Sequence, residues 1–486
     1  MADVTKEVIA AENHVSPAAA TGIHGFIAKF TVLKTARREL WLTFLIKLLI
    51  YTAYSITNKT LTYWLSADLG FSDQMAGALV GWVWAPAMTV FTLLAGSLTD
   101  AIGLRRTFFL GVAICTFARS VMVFTTIPWL ALLCGLLPLA IGEALGTPVL
   151  LAATRVYSTT AQRSISFSII YALMNVGYFI AGYVFDFVRS LDLHVNIGGF
   201  QPTPHEQLFA VSLALEIVLL PTIYFLRRRE ERERPAQPTM LATVRASAAE
   251  TISLFRRLLG QSAFFRLLVF FLLIGFLKAI FLQMDYVFPK FGDREMGLHA
   301  PVGKLAGINA ILIIILAPVV GALTQRIASY RMVIIGSVIC AAGVFIMALP
   351  MDWFVPAANG VLGSALGHGY LQLTGAIHPY YIMSALYLTI FSVGEAFYSP
   401  RVYEYAASIA PPGQEASYGS LAYIPFLVGK LLIGTSGWIL AAFCPAQGEC
   451  RPQMMWLIFA LAASVAPVGL LVFRRYIQVH EAGRTD

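Results

Sequence analysis

The side chains best placed to do chemistry are charged groups standing inside long apolar stretches. Lys47 and Lys59 share one stretch, Arg119 stands in another, and Glu143 and Glu216 in two more. Lys278 and Asp285 share a further one, Glu395, Arg401 and Glu404 the next, and Lys430 sits in LVGKLLIG. A charge in a lipid-embedded segment costs several kcal/mol unless paired or hydrated, so each is a functional candidate by default. A carboxylate in a low-dielectric pocket can exchange protons near neutrality, and an ammonium there can receive an anion. Glu395 and Lys430 lie near the middles of their stretches, and Lys278 and Asp285 fall on one helical face. Each of these also reads as half of a permanent ion pair holding helices in register. Lys59, Arg119, Arg401 and Glu404 read as groups near an interface, which snorkel to it or pair across a bundle as a gate. Glu216 reads equally as a packing carboxyl.

The elements that must position these groups follow from composition. The chain is 58% hydrophobic and 12% charged, where a soluble domain carries about 25% charged residues. Its apolar stretches are continuous, which excludes the alternating pattern of an outer-membrane barrel. A helix crosses a bilayer with about 20 apolar residues. Twelve such segments are predicted, at 40–65, 76–99, 107–126, 129–153, 166–188, 207–226, 264–288, 303–323, 332–350, 380–408, 417–443 and 454–473. The region 351–379 reads as a loop lying on the membrane. The fold class expected is an all-α membrane protein of twelve helices in two six-helix bundles.

Lys and Arg set the orientation. They cluster before the first span (Lys29, Lys34, Arg37, Arg38), after the even-numbered spans (Arg105/Arg106, Arg155/Arg163, the run 227–234, Arg326/Arg331) and after the last (Arg474/Arg475). Both termini are therefore expected in the cytoplasm of a cell whose inner (plasma) membrane holds the chain. The stretch PKFGDREMGLHAPVGK is the exception, with basic residues on the opposite side. The predicted organisation is a cytoplasmic segment 1–39, a bundle 40–226, a cytoplasmic linker 227–263, a bundle 264–473 and a tail 474–486. The first ~35 residues lack the pattern of a cleavable signal peptide. The formal charge of +8 sits beside apolar segments, which argues for a lipid bilayer as partner and against nucleic acid. No Cys/His cluster has metal-ligand spacing and no Gly-x-x-x-x-Gly-Lys-Ser/Thr nucleotide motif occurs, so neither metal nor cofactor is expected. Cys115, Cys134 and Cys340 read as packing residues, while Cys444 and Cys450 share a loop in which they could pair.

An ungapped internal repeat supports two related halves. GSLTDAIGLRRTFFLGVAI from Gly96 aligns with GALTQRIASYRMVIIGSVI from Gly321, pairing Leu98/Leu323, Thr99/Thr324, Ile102/Ile327, Arg106/Arg331 and Gly111/Gly336. Repeats of this kind build transporters whose halves rock about a central site. The first copy resembles the loop signature of the major facilitator superfamily, Gly-x-Leu-x-Asp-x-x-Gly-Arg-Arg, through Gly96, Leu98, Asp100, Gly103, Arg105 and Arg106. Leu104 interrupts the usual Gly-Arg step. The resemblance implies a conformational latch at this loop.

A narrower resemblance appears in GEAFYSPRVYEYAASIAP. Gly394, Glu395, Ser399, Pro400, Ala410 and Pro411 are similar to the tenth-span signature of the proton-dependent oligopeptide transporters. Phe167, Ser168, Tyr171, Asn175 and Gly177 resemble that family's fifth-span stretch, with Gly142 and Pro148 a weaker third piece. The resemblance implies that Glu395 receives a substrate amine, that Asn175 contacts the substrate backbone, and that Asp285 takes part in gating and proton coupling. The chain departs from the family in its first span. There the Glu-x-x-Glu-Arg signature is replaced by KLLIYTAY, with only Tyr51 and Tyr54 keeping aromatic character. Thr147 stands where the family has Lys. Lys47 and Lys430 are positioned to supply the missing positive charge.

The function expected is secondary active transport, coupled to protons, of a small polar or zwitterionic solute such as a short peptide. Its substrate-binding residues would be Glu395, Lys430, Asn175, Tyr51, Tyr54, Tyr171 and Lys47, and its proton-coupling or gating residues Asp285, Lys278, Glu143 and Glu395. The protein would act as a monomer and not as an enzyme. Two alternatives stay open: a proton-antiport exporter of amphipathic compounds, and a non-transporting receptor on a transporter fold.

Overall fold

A segment surrounded by lipid must satisfy its backbone N–H and C=O groups internally, and a helix does so. The structure, a computed structural model, describes residues 31–226, 256–409 and 424–478 except 192, 194, 195, 197, 198, 325 and 326, together with 242, 245, 249, 252 and 253. Lys29, the basic run 227–234, Arg326, Ala410, Pro411, the first residues of the eleventh span and the end of the tail lie outside the described residues. Twelve helices are long and apolar enough to cross a membrane. They are α1 (Arg38–Asp68), α2 (Asp73–Thr92), α3 (Leu104–Phe124), α4 (Pro128–Tyr157), α5 (Ile165–Ser190) and α6 (Pro204–Tyr224). The second set is α7 (Ser262–Tyr286), α8 (Val302–Gly321), α9 (Ser329–Ile346), α10 (Pro379–Val402), α11 (Ile424–Phe443) and α12 (Pro452–Val472). They match the predicted segments one for one. Helical backbone continues past α2 to Ile102 and past α10 to Ile409.

The region expected as a loop at 351–379 instead carries short helical turns, Met351–Phe354, Val355–Ala358, Val361–Gly363 and Ser364–Tyr370. Trp353, Val361 and Leu362 face outward while Leu371 and Ile377 are buried. That sidedness suits a segment lying in the interface. Cys444 and Cys450, with Cα atoms 4.1 Å apart, are joined in a disulfide.

Packing repeats with a period of six helices. In the first half α1 packs on α5 and α6, α3 on α4 and α6, and α2 on α4. In the second, α7 packs on α11 and α12, α9 on α10 and α12, and α8 on α10. The halves meet through α5 against α8 and α2 against α11, which exchange under the same operation, and through α1 against α7. The molecule is two pseudo-symmetric six-helix bundles.

The repeat glycines explain why the bundles match. A Cβ on Gly142 of α4 would lie 2.5 Å from Cys115 Sγ and 2.9 Å from the Gly111 carbonyl; one on Gly394 of α10 would lie 2.6 Å from both Cys340 Sγ and the Gly336 carbonyl. Small residues let these helices approach in both halves. The halves touch by the same device. A Cβ on Gly81 would lie 2.3 Å from the Gly434 nitrogen, and one on Gly182 would lie 2.3 Å from the Gly303 carbonyl.

Candidate functional site

Lys47, Tyr51 and Tyr54 recur at helical spacing and so share one face of α1. The Lys47 ammonium lies 3.5 Å from the centroid of the Tyr51 ring. Tyr51 packs on Tyr54 at 5.9 Å and on Tyr178 of α5 at 6.0 Å. From the other half, Lys430 of α11 reaches the Tyr54 hydroxyl at 3.4 Å and stands 4.1 Å from the Trp84 ring centroid. Cation–π contacts of this kind hold an ammonium in place without neutralising it.

This ladder lines a cavity of about 460 Å³ between the halves. All seven residues expected to bind substrate line it: Lys47, Tyr51, Tyr54, Tyr171, Asn175, Glu395 and Lys430. Lys278 and Glu143 line it too, whereas Asp285 does not. A cavity this size holds a small organic solute.

Glu395 has partners already. Its Oε1 stands 3.9 Å from the Lys278 ammonium, and its Oε2 accepts from the Asn309 amide at 3.1 Å. Asn309, on α8, also donates to Ser392 at 2.9 Å. It is a functional candidate missed above, although an amide in the apolar run LAGINAILIII was a visible signal. Aromatic rings surround Lys278, with Phe426, Tyr398 and Phe281 at 4.9, 5.2 and 5.4 Å.

Arg119 corrects an expectation. It does not snorkel and it does not gate across the bundle; it is 1% exposed and ties four helices of one half together. Its guanidinium donates to Glu143 and Glu216, each at 2.9 Å, and to Thr57 at 3.1 Å. The second carboxylate oxygens of Glu143 and Glu216 are buried with no hydrogen-bond partner. Arg401 likewise pairs inside its own half, with Glu404 at 2.6 Å and Thr324 at 2.9 Å.

Asp285 sits beyond the cavity, where it is paired with Lys59 of the other half. Lys59 therefore pairs across the bundle and does not snorkel. From there towards the ends of α1 and α7, contacts between halves accumulate. Asp73 takes Lys290 at 2.6 Å and Arg294 at 2.7 Å. Asp293 takes both Arg189 and the Tyr63 hydroxyl. Asp186 of α5 accepts the backbone N–H groups of Gly303 and Lys304, at 2.9 and 2.6 Å, at the start of α8, where a helix N-terminus favours an anion. Burial lowers the Lys290 ammonium from its ordinary value, and Asp73 opposes that shift. Among the described residues, every ion pair joining the halves lies at this end, away from the start of α1. Two of the three basic residues in the exceptional stretch after the seventh span are paired here. Lys290 and Arg294 share the single carboxylate of Asp73, so both stand in a contact between the halves.

At the opposite end, Gly103 breaks the backbone between α2 and α3 with φ of 88°. Arg105 places its guanidinium 4.8 Å from the Tyr224 ring centroid, and Arg106 is exposed. The side chains of Asp100 and Arg163 lie outside the described residues.

A two-bundle, twelve-helix molecule with a charged cavity between its halves is a membrane carrier. The family model of the Major Facilitator Superfamily matches residues 43–369. The chain belongs to that superfamily: it is a multi-pass membrane protein and a secondary transporter, not an enzyme. No curated protein matches the sequence. Among solved structures, a POT family transporter in complex with 5-aminolevulinic acid is similar with a TM-score of 0.68 at 15% identity, over 91% of this chain and 97% of that one. A proton-dependent oligopeptide transporter is similar with a TM-score of 0.64 at 18% identity, over 90% and 97%. The nucleoside transporter NupG, in a mutant form, is similar with a TM-score of 0.63 at 15% identity, over 90% and 99%. At these identities the likeness is one of fold.

Proposed function

We propose that this carrier moves a small carboxylate-bearing solute, zwitterionic or anionic and peptide-like, across the plasma (inner) membrane in symport with protons. The observation that supports this best is the pair Lys47 and Lys430. They are buried side chains from opposite halves that face one cavity, and among the described residues their hydrogen bonds and ring contacts go to Tyr51, Tyr54, Trp84 and Met88 and not to a carboxylate. A solute carboxylate placed there would join the halves. Tyr51, Tyr54 and Tyr171 would pack its body, and Asn175 would contact its amide. Glu143 is the candidate proton carrier, because its second oxygen is buried, unpartnered and part of a residue lining the cavity. Glu395, with Lys278, and Asp285, with Lys59, are pairs that protonation would loosen. Residues 40–226 and 264–473 would rock as two bodies of a monomer, with both termini cytoplasmic. The cavity would then face the cytoplasm, and the ion pairs from Lys59 outward would close the external side.

Uptake of labelled di- and tripeptides into proteoliposomes tests this reading. An inward proton gradient should drive accumulation. Glu143→Gln should reduce gradient-driven accumulation by about tenfold or more while keeping solute counterflow. Accumulation indifferent to the gradient would remove proton coupling. Efflux of amphipathic cations with no peptide entry would favour an exporter, and no flux of any solute would favour a receptor.

A further inference from the structure

The charges around the cavity narrow the substrate further, an inference that rests on the carboxylate-solute reading above. Four basic side chains line the cavity (Lys47, Arg119, Lys278, Lys430) against three acidic ones (Glu143, Glu216, Glu395). Arg119 is bound to both Glu143 and Glu216, and Lys278 faces Glu395. An incoming ammonium group would therefore meet carboxylates that already face a cation, with only the second oxygens of Glu143 and Glu216 left without a partner. To reach Glu395 it would have to displace Lys278 at 3.9 Å and Asn309 at 3.1 Å. It would do so in a cavity whose lining already carries an excess of positive charge, where like-charge repulsion is weakly screened.

The anionic end of a solute meets the opposite situation. Lys47 is held over the Tyr51 ring and Lys430 against Trp84 and Tyr54, contacts that orient both ammonium groups without placing either in an ion pair. Lys47 lies at the Tyr51 ring and Lys430 at the Tyr54 hydroxyl, and the two rings stand 5.9 Å apart. Two carboxylates on one small molecule can address both ends of this ladder. Tyr178 and Phe281, whose ring centroids stand 6.4 Å apart, supply apolar wall between them.

We propose that the substrate is a net-anionic organic acid, held through its carboxylate groups by Lys47 and Lys430, and that its recognition needs no free amino group. Lys278 acts as a built-in occupant of the place where a substrate amine would bind, and so sets specificity against zwitterions.

The test uses the full chain in proteoliposomes with three probes: Ala-Ala, N-acetyl-Ala-Ala and glutarate. N-acetyl-Ala-Ala and glutarate should enter about tenfold faster than Ala-Ala, the ratio expected from one lost unfavourable charge contact of about 1.4 kcal/mol. The same order should appear as thermal stabilisation of the purified wild-type protein, a measurement that needs no variant. Lys278→Met, checked for monodispersity, should move the preference towards Ala-Ala by opening Glu395. Entry and stabilisation by Ala-Ala with neither anion active would overturn the inference while leaving the carrier reading intact. So would a preference unchanged by Lys278→Met. No entry and no stabilisation by any of the three would overturn both.

Discussion

Arg119→Met should destabilise the folded protein by about 3–5 kcal/mol, the usual consequence of removing one partner from a buried ion pair. The effect is large because one guanidinium serves two carboxylates. Glu143 and Glu216 approach it from α4 and α6 at 2.9 Å each, and both keep a second buried oxygen without any partner. Without Arg119 they become two like charges in a low-dielectric site, and water cannot compensate them as bulk solvent would. Thermal unfolding in detergent measures the loss. The control is the triple variant Arg119→Met, Glu143→Gln, Glu216→Gln, which removes the uncompensated charge and should recover most of the stability. Wild-type stability in Arg119→Met alone would mean that the carboxylates are hydrated through the cavity or take up protons, and the triad would then lose its structural role.

The second large effect is expected at the contact between the halves. Gly303→Val should shift the protein out of the conformation described here and cut net transport about tenfold or more. A Cβ at this position would lie 2.2 Å from the Gly182 carbonyl oxygen and 2.9 Å from Asp186 Oδ1. The side chain would push α8 off α5 and pull the Gly303 and Lys304 amides away from Asp186. Overpacking costs about 1–3 kcal/mol. This cost applies only where α5 and α8 touch, so it acts on the conformational equilibrium, where 1.4 kcal/mol is a factor of ten. Spin labels at Met75→Cys and Leu298→Cys, both exposed positions at the latched end on opposite halves, report the result. Their distance distribution should gain a longer component in Gly303→Val. By pseudo-symmetry Gly81→Val, which would meet Gly434, should act in the same direction. An unchanged distribution in both variants would show that the halves close without these contacts.

Helix count, helix identity and several of the polar residues that line the cavity were legible in the sequence because each rests on a local pattern. Apolar length locates a span, and a polar residue inside it has few places to go except the space between bundles. Lys47, Tyr51 and Tyr54 share a face by spacing alone. Partner choice is a different kind of information. Nothing near Arg119 says that it meets Glu143 and Glu216, and nothing near Lys59 points to Asp285, a residue of the other half. These pairings depend on helix rotation and on which helices adjoin, neither of which one sequence encodes locally. Asp73, Lys290 and Arg294 lie at segment ends and read as ordinary loop charges until tertiary packing brings them together. Gly182 and Gly303 gave no signal because a glycine in a membrane helix has many uses.

The one-sided placement of the ion pairs between the halves bears on the rhythm of the cycle. An unloaded carrier must part Lys59 from Asp285, Asp73 from Lys290 and Arg294, and Arg189 from Asp293 before this end can open. A bound anion that recruits Lys47 and Lys430 offsets part of that loss. On the proposed anion reading the empty return would be the slow leg, and solute supplied to the far compartment should speed the appearance of labelled solute several-fold over its net flux. Such a protein would turn over fastest as an exchanger, its throughput set by how often it travels empty.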